Sequence, residues 1–433
     1  MTQRGRHRRR RRGRALRAFL AGTALALTAA ATMISASQAT VASDPGALRP
    51  LTSPAALDRL RLQEHPEPQA VLDRLASAMG RPVDVGTVLR SADRSLRSED
   101  SCTGSEKQTL PVAPAATRAY CWSASDTAAW QPGGVTTSGG TDPDDRWGAD
   151  RVVLSGWSRH GSLARVAFVD AGDPDRLTYT WVLLALPVDG GRDYRALAST
   201  VTGMVWYHKK LLVTASGQGS DALYVYDLRR IQRATVSSDA VGRVPGGFAA
   251  AGYPYVMPAV GTYTRAAGAC TTRTDDGTPC MDAISLDRST APDSLVAAER
   301  VPQDGGHDRH SRLWRYDLDG TAARGGLLAT DFAGRAYAGE AYETKATGVR
   351  GVLSYRAGWY LDRAADGADG HGTLWRQDTH GAAATRCGAD DTQLCWTSLP
   401  GSLSYGQETG EVWSQSDRVL FALPLASIGD ALG

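Results

Sequence analysis

The sequence predicts an all-β protein, a β-propeller of about five blades behind a short N-terminal helical segment, with six blades as the alternative count. Three observations predict it. Beyond Cys102, short runs of Val, Leu, Tyr and Trp alternate with Gly, Asp, Pro and Ser, the texture of strands joined by turns. Segments of helical length and period are scarce in that region. Gly-led pentapeptides recur: Gly351-Val352-Leu353-Ser354-Tyr355 and Gly401-Ser402-Leu403-Ser404-Tyr405 start 50 residues apart, and a period of this size signals blades.

A third copy, Gly203-Met204-Val205-Trp206-Tyr207, leads into Leu211-Leu212-Val213 and Leu223-Tyr224-Val225-Tyr226-Asp227. The shared pattern is strand, tight turn, strand, loop, strand. An inner strand of a propeller favours Gly at its start because backbones crowd near the axis and leave no room for a side chain. The blades then fall at about 131–190, 200–235, 250–320, 348–382 and 398–425. The third is the longest, and its Cys270 and Cys280 read as pinning an inserted hairpin with Asp275-Asp276-Gly277 as the turn. The competing architecture is a β-sandwich with accidental likeness between pentapeptides.

Ahead of the strands lie two different segments. Arg4, Arg6, Arg8 to Arg12, Arg14 and Arg17 precede an apolar, Ala-rich stretch from Ala18 to Ile34, the form of an export signal. Small residues place cleavage after Ala39 or Ala42, so residues 1–42 read as a signal peptide for the general secretory route and the mature protein as extracellular. Retention as a membrane anchor is the rival reading; the stretch holds roughly 17 apolar residues where about 20 are needed to span a bilayer. Residues 43–100 read as a polar helical lead-in or linker: Pro54 follows Ser53 at a helix start, and Val71, Leu72, Leu75 and Met79 recur at helical spacing before Gly80. Residues 101–433 are assigned to the propeller.

Removing the signal reverses the charge. Nine of the 48 basic residues precede Ala18, which leaves 39 against 46 acids, a net charge near −7. Such a chain lacks the basic footprint that a phosphate backbone requires, so nucleic acid is not an expected partner.

Six cysteines form three sequence-local pairs, Cys102 with Cys121, Cys270 with Cys280 and Cys387 with Cys395. In an exported chain an even count reads as disulfides, and of the 15 connectivities the nearest-neighbour set closes the shortest loops. A zinc cluster would want C-x2-C spacing, which no pair has.

Together, Trp130-Gln131-Pro132-Gly133-Gly134-Val135-Thr136-Thr137, Val205-Trp206-Tyr207, Tyr224 to Ile231, Tyr255-Val256-Met257-Pro258 and Ser285 to Leu295 resemble an uncharacterised family of secreted, propeller-like proteins of Streptomyces and related actinobacteria. The resemblance runs over residues 115–425 and implies fold and export without an activity. Members carry a His shortly before the strand that here begins at Gly203; this chain has Ser199-Thr200-Val201-Thr202 instead.

The sequence contains no G-x-S-x-G elbow, no H-E-x-x-H and no phosphate-cradling G-x-x-x-x-G-K-[ST] loop. The leading reading is therefore a non-enzymatic module, monomeric and without a membrane span after cleavage, that binds a protein or cell-wall glycan. The alternative is a metal-dependent hydrolase, lactonase or lyase built from scattered residues near the starts of inner strands, with Thr136, Thr137 and Glu343 as candidates. His307 and His310 are weak metal candidates, because the following Leu313-Trp314-Arg315-Tyr316 reads as strand and leaves them in a connecting loop. Asp362, Asp366 and Asp369 faintly resemble a calcium loop with the wrong spacing for an EF-hand; no cofactor is expected beyond a structural or axial metal ion such as calcium. Asp142, Asp144, Asp145 and Asp150 read as a solvated loop. Among 11 tryptophans, Trp206, Trp314, Trp359, Trp375 and Trp413 fall in strand runs and are assigned to the core, whereas Trp130 and Trp147 lie in loop-like sequence and are the candidates for a sugar platform.

Overall fold

The computed structural model describes residues 44–140, 146–159, 161–214, 221–271, 277–302, 310–365, 370–389 and 391–432. Each of five blades is a four-stranded antiparallel sheet. The first consists of Gln131–Thr137, Val152–Arg159, Leu163–Asp170 and Thr178–Val188. The second uses Met204–Tyr207, Lys210–Thr214, Asp221–Asp227 and Tyr255–Arg265. The third uses Met281–Asp287, Ser294–Glu299, Ser311–Asp317 and Ala338–Thr344. The fourth uses Val349–Tyr355, Gly358–Arg363, Thr373–Gln377 and Ala382–Ala384. The fifth is composite: Ser404–Gly406, Glu411–Ser416 and Val419–Pro424 come from the C-terminal end of the chain, and Arg118–Cys121 supplies the outer strand.

Hydrophobic packing fixes the blade count at five, because there is one apolar cluster for each contact between neighbouring blades. Leu154, Val166 and Leu184 of the first blade meet Trp206, Leu211 and Val213 of the second. Val205, Leu212 and Val225 of the second meet Ile284, Leu295 and Trp314 of the third. Val296 and Leu313 pack on Val352 and Trp359, then Leu353 and Leu374 on Val412 and Phe421. Trp413 and Leu420 close the ring against Val135, Trp157 and Trp181 of the first blade. Neighbours along a strand, such as Met204 and Val205, thus point into different clusters. A sheet buried on both faces gives continuous apolar runs in place of strict alternation, which is the texture the sequence shows. Trp206, Trp314, Trp359, Trp375 and Trp413 are buried, as expected.

The Gly-led starts are explained by space. A Cβ on Gly133 would stand 1.6 Å from the Val201 carbonyl oxygen, and one on Gly351 would stand 2.3 Å from that of Gly401. Neither position is in the left-handed region. The requirement comes from the close approach of successive blades at the axis.

Two boundaries differ from the sequence reading. Tyr255–Arg265 is the outer strand of the second blade, not the opening of the third, which begins at Met281. After Asp227 the chain makes an excursion through the hairpin Val241–Val244 and Gly247–Ala250 before it returns to the sheet. The Cys270–Cys280 bridge consequently staples the crossover between these blades instead of a hairpin within the third; Asp275 and Asp276 lie outside the described residues. The other two bridges are Cys102–Cys121 and Cys387–Cys395, so the pairing is the nearest-neighbour set.

The segment read as a linker is woven into the ring. Gln377 donates to the Gly46 carbonyl at the fourth blade, and Arg49–Pro50 pairs with the third at Tyr342 and Glu343. Leu62–Pro66 pairs with the second at Gly261 to Arg265, Arg94–Ser95 with the first, and Arg97–Ser98 with the fifth. The helix Gln69–Met79 sets Leu75 and Met79 on Leu183 and Val256. Open outer strands present unpaired N–H and C=O groups; this belt covers part of the outer edge of four blades and meets the fourth at Gln377 and Asp378. Residues 1–42 lie outside the described residues.

Candidate binding site

The inner strands all begin at one end of the ring, here the mouth, and finish at the other, the base. Between the first and fifth blades at the base lies a small cleft that opens to solvent. Thr137, Ser138 and Gly139 form one wall as the chain leaves the first inner strand, and Gly406, Thr409, Glu411 and Trp413 of the fifth blade form the other. Arg118, Tyr120 and Arg151 complete it.

Its geometry is set by stacking and charge. Trp413 lies parallel to Tyr120, with centroids 6.4 Å apart and planes 7° apart. The Arg118 guanidinium sits 5.5 Å from the Trp413 centroid and ion-pairs with Glu411. Tyr120 donates its O–H to the Pro174 carbonyl at 2.8 Å, and burial pushes its phenol up from the ordinary range. The Nε atoms of both Arg118 and Arg151 are buried without a hydrogen-bond partner among the described residues. The Nε atoms of Arg61 and Arg165 share this state elsewhere in the fold, and those of Arg118 and Arg151 are the pair that flanks the cleft. An aromatic wall beside a guanidinium, a carboxylate and hydroxyls suits a polar ligand with an apolar face. The cleft brings together no hydroxyl nucleophile and imidazole base.

At the mouth the inner strands start with bulges. Register shifts between Pro132 and Val135, Met281 and Ala283, and Val349 and Gly351 make Gly133-Gly134, Asp282 and Arg350 the extra residues of three blades. Bulges at such rims re-aim side chains. Below Arg350, the Asp362 side chain is fully buried beside Gly351 and accepts from the Trp396 indole at 3.4 Å.

Among solved structures, the chain is similar to a gluconolactonase from Xanthomonas campestris at 12% identity and a TM-score of 0.32, over 80% of this chain and 97% of that one. It is also similar to the Dos1 propeller at 7% identity and a TM-score of 0.26, over 64% of this chain and 66% of that one. No family model and no curated protein matches it. The propeller assignment rests on the sheets and their five interfaces.

The structure distributes the sequence-predicted site residues widely. Thr137 lines the basal cleft. Thr136, one residue earlier, faces the other way: its buried hydroxyl accepts from the Trp206 N–H at 3.0 Å and ties the first inner strand to the second. Glu343 is not at an inner strand. It sits in Ala338–Thr344, the fourth strand of its blade, and pairs with Arg49 of the belt. Trp130 is no open platform, because the Arg165 guanidinium covers it at 3.8 Å and is itself 3.5 Å from Trp181. Trp147 packs 5.4 Å from Trp206. His310 is half-buried just before Ser311–Asp317, and His307 lies outside the described residues. Asp362 occupies a strand, not a loop, while Asp366 and Asp369 lie outside the described residues, as do Asp142, Asp144 and Asp145. Asp150 bridges to Trp147.

Among the described residues, one group of three metal-type ligands converges, Cys102, Glu106 and Cys121, and its two thiols are joined in a disulfide. Sequence reasoning missed Arg118, Arg151 and Glu411 in the cleft. It also missed Asp282 and Arg350, although a charge inside an apolar inner run, as in Met281-Asp282-Ala283 and Val349-Arg350-Gly351, was a usable signal.

Proposed function

We propose that this chain is an exported, non-catalytic binding propeller, a member of the actinobacterial secreted family it resembles, and that the basal cleft holds a segment of glycan. The observation that carries the reading is the pair of unsatisfied, buried Nε donors of Arg118 and Arg151 beside the Tyr120–Trp413 stack. Glycan is favoured over peptide because a stacked aromatic wall rimmed by charged groups matches the apolar face and peripheral hydroxyls of a sugar ring. Export is supported by the Arg-rich, Ala-rich N-terminus and by three disulfides, which persist in oxidising compartments. Among the described residues no helix is long and apolar enough to cross a membrane.

The test is calorimetric titration of the secreted protein with cell-wall glycan fragments, in parallel with Arg151→Gln. Arg151 makes no ion pair within 4 Å among the described residues, and a melting temperature equal to the parent's is the folding control for its replacement. Binding by the parent and a loss of about tenfold in the variant, the worth of one charge-assisted hydrogen bond, supports the reading. Glycan binding that is equal in both proteins, or absent from the parent, overturns it. A metal-dependent hydrolase would lose its activity toward a sugar lactone or ester on chelation, and turnover with that behaviour would replace the proposal.

A further inference from the structure

We infer that the mouth of the ring, between the third and fourth blades, is a second site that takes an anionic group, a carboxylate or a phosphate, between Arg300 and Arg350. Three geometric facts carry this. The bulges place Asp282 and Arg350 at the same rung of adjacent inner strands, so both project at one rim. Arg300 continues the strand Ser294–Glu299, and its backbone N–H is held by the Asp282 carboxylate. Arg350 is exposed and Arg300 half-buried, and among the described residues neither guanidinium has an ion-pair partner within 4 Å.

The surroundings make the rim positive. Arg265, at the end of the second blade, also acts on Asp282. Glu299 is clamped by Arg312 with two buried bonds of 2.7 and 2.8 Å, and its charge still bears on Asp282. Asp362 is buried behind Arg350, where desolvation pushes its carboxyl up to about 7. Arg300 and Arg350 therefore lie on either side of a half-buried carboxyl, Asp282, with Asp362 behind Arg350 as the second acid that titrates between pH 5 and pH 8. Desolvation first, and the neighbouring Arg300 charge second, hold Arg350 below its ordinary range, and an anion between the two guanidinium groups relieves that repulsion. Guanidinium forks suit carboxylate and phosphate alike.

Asp282 adds a pH response. Burial and Glu299 push its carboxyl up, to about 6, against the opposing pull of Arg300 and Arg265; Arg350 faces it from the fourth blade. Below that pH it loses its charge and ceases to compete with an incoming anion, so binding strengthens as pH falls.

The experiment is calorimetric titration of the full secreted protein at pH 5 and pH 8 with D-glucuronate and, separately, with glycerol phosphate, using glucose as the uncharged control. The expected result is binding of at least one anion, stronger at pH 5, and weakened about tenfold by Arg350→Gln. Which probe binds identifies the acidic sugar or the phosphate as the source. A melting temperature of Arg350→Gln equal to the parent's serves as the folding control. Equal anion binding in the parent and Arg350→Gln, or no binding of either probe up to about 50 mM, overturns the inference.

Discussion

Replacing Asp362 by Asn should make the protein more stable at neutral pH, by an amount that grows with pH. The Asp362 side chain is fully buried, and burial pushes its carboxyl up to about 7 despite bonds from Trp396 and from the backbone of Gly351 and Arg350. In the unfolded chain the same group titrates near 3.8. The folded state therefore keeps a proton that the unfolded state has already released, and stability falls as pH rises from about 4 to about 7. About three pH units at 1.36 kcal/mol each give a loss of about 4 kcal/mol that is complete above pH 7. Asn has no such titration. Urea unfolding of both proteins at pH 4, 6 and 8, with disulfides intact, isolates the effect. The offset at pH 4 reports packing alone, and Asp282, which titrates in both, cancels. The difference should widen by about 4 kcal/mol between pH 4 and pH 8 in favour of Asp362→Asn. Two unfolding curves that stay parallel across this range would refute the assignment of a buried, proton-holding carboxyl.

Gly351→Ala should destabilise by about 2–3 kcal/mol in urea unfolding, because its Cβ would stand 2.3 Å from the Gly401 carbonyl oxygen and must force two inner strands apart. Gly381→Ala, with nothing within 4 Å of its Cβ, should change stability by no more than about 0.5 kcal/mol. Replacing both Cys102 and Cys121 by Ser should cost about 3 kcal/mol, since their separation of 19 residues closes a loop that holds the outer strand of the composite blade; a melting temperature equal to the parent's would count against that role. Glu343→Gln should cost less than about 1 kcal/mol and leave metal content, measured by elemental mass spectrometry, unchanged, because its ion pair with Arg49 is solvent-exposed on the Arg side.

Much of the fold could be read from residues whose meaning is local. Gly203, Gly351 and Gly401 marked the starts of inner strands, because only a residue without a Cβ fits where backbones meet. The apolar runs at Val152, Tyr179, Leu223 and Val419 became strands buried on both faces. Close cysteine spacing gave the three bridges for the same local reason. The sequence places the first blade from residue 131 but does not read its inner strand Gln131–Thr137 as a strand, because Gln-Pro-Gly-Gly carries turn chemistry that a bulge absorbs.

Other features were decided only in three dimensions. Leu62-Gln63-Glu64-His65-Pro66 has no strand pattern, yet it forms a strand because Tyr255–Arg265 offers an unpaired edge at that place. Tyr255–Arg265 joins the second blade because the chain returns to the edge left open by Asp221–Asp227. Glu343 and Asp282 are both acids in apolar strands, and nothing local says that one lies on an outer edge and the other at the mouth. Candidate chemistry followed the same division: residue types were legible, but the pairing of Arg118 with Glu411 joins positions 293 apart. By itself, the sequence determined the apolar strands beyond Cys102, where side chains could not fit at the axis and which cysteines would pair, because those depend on short-range sterics and chain entropy. Tertiary structure alone decided which edges were left open, which segments covered them and which charges met at the mouth and in the cleft, because those depend on the closure of the whole ring.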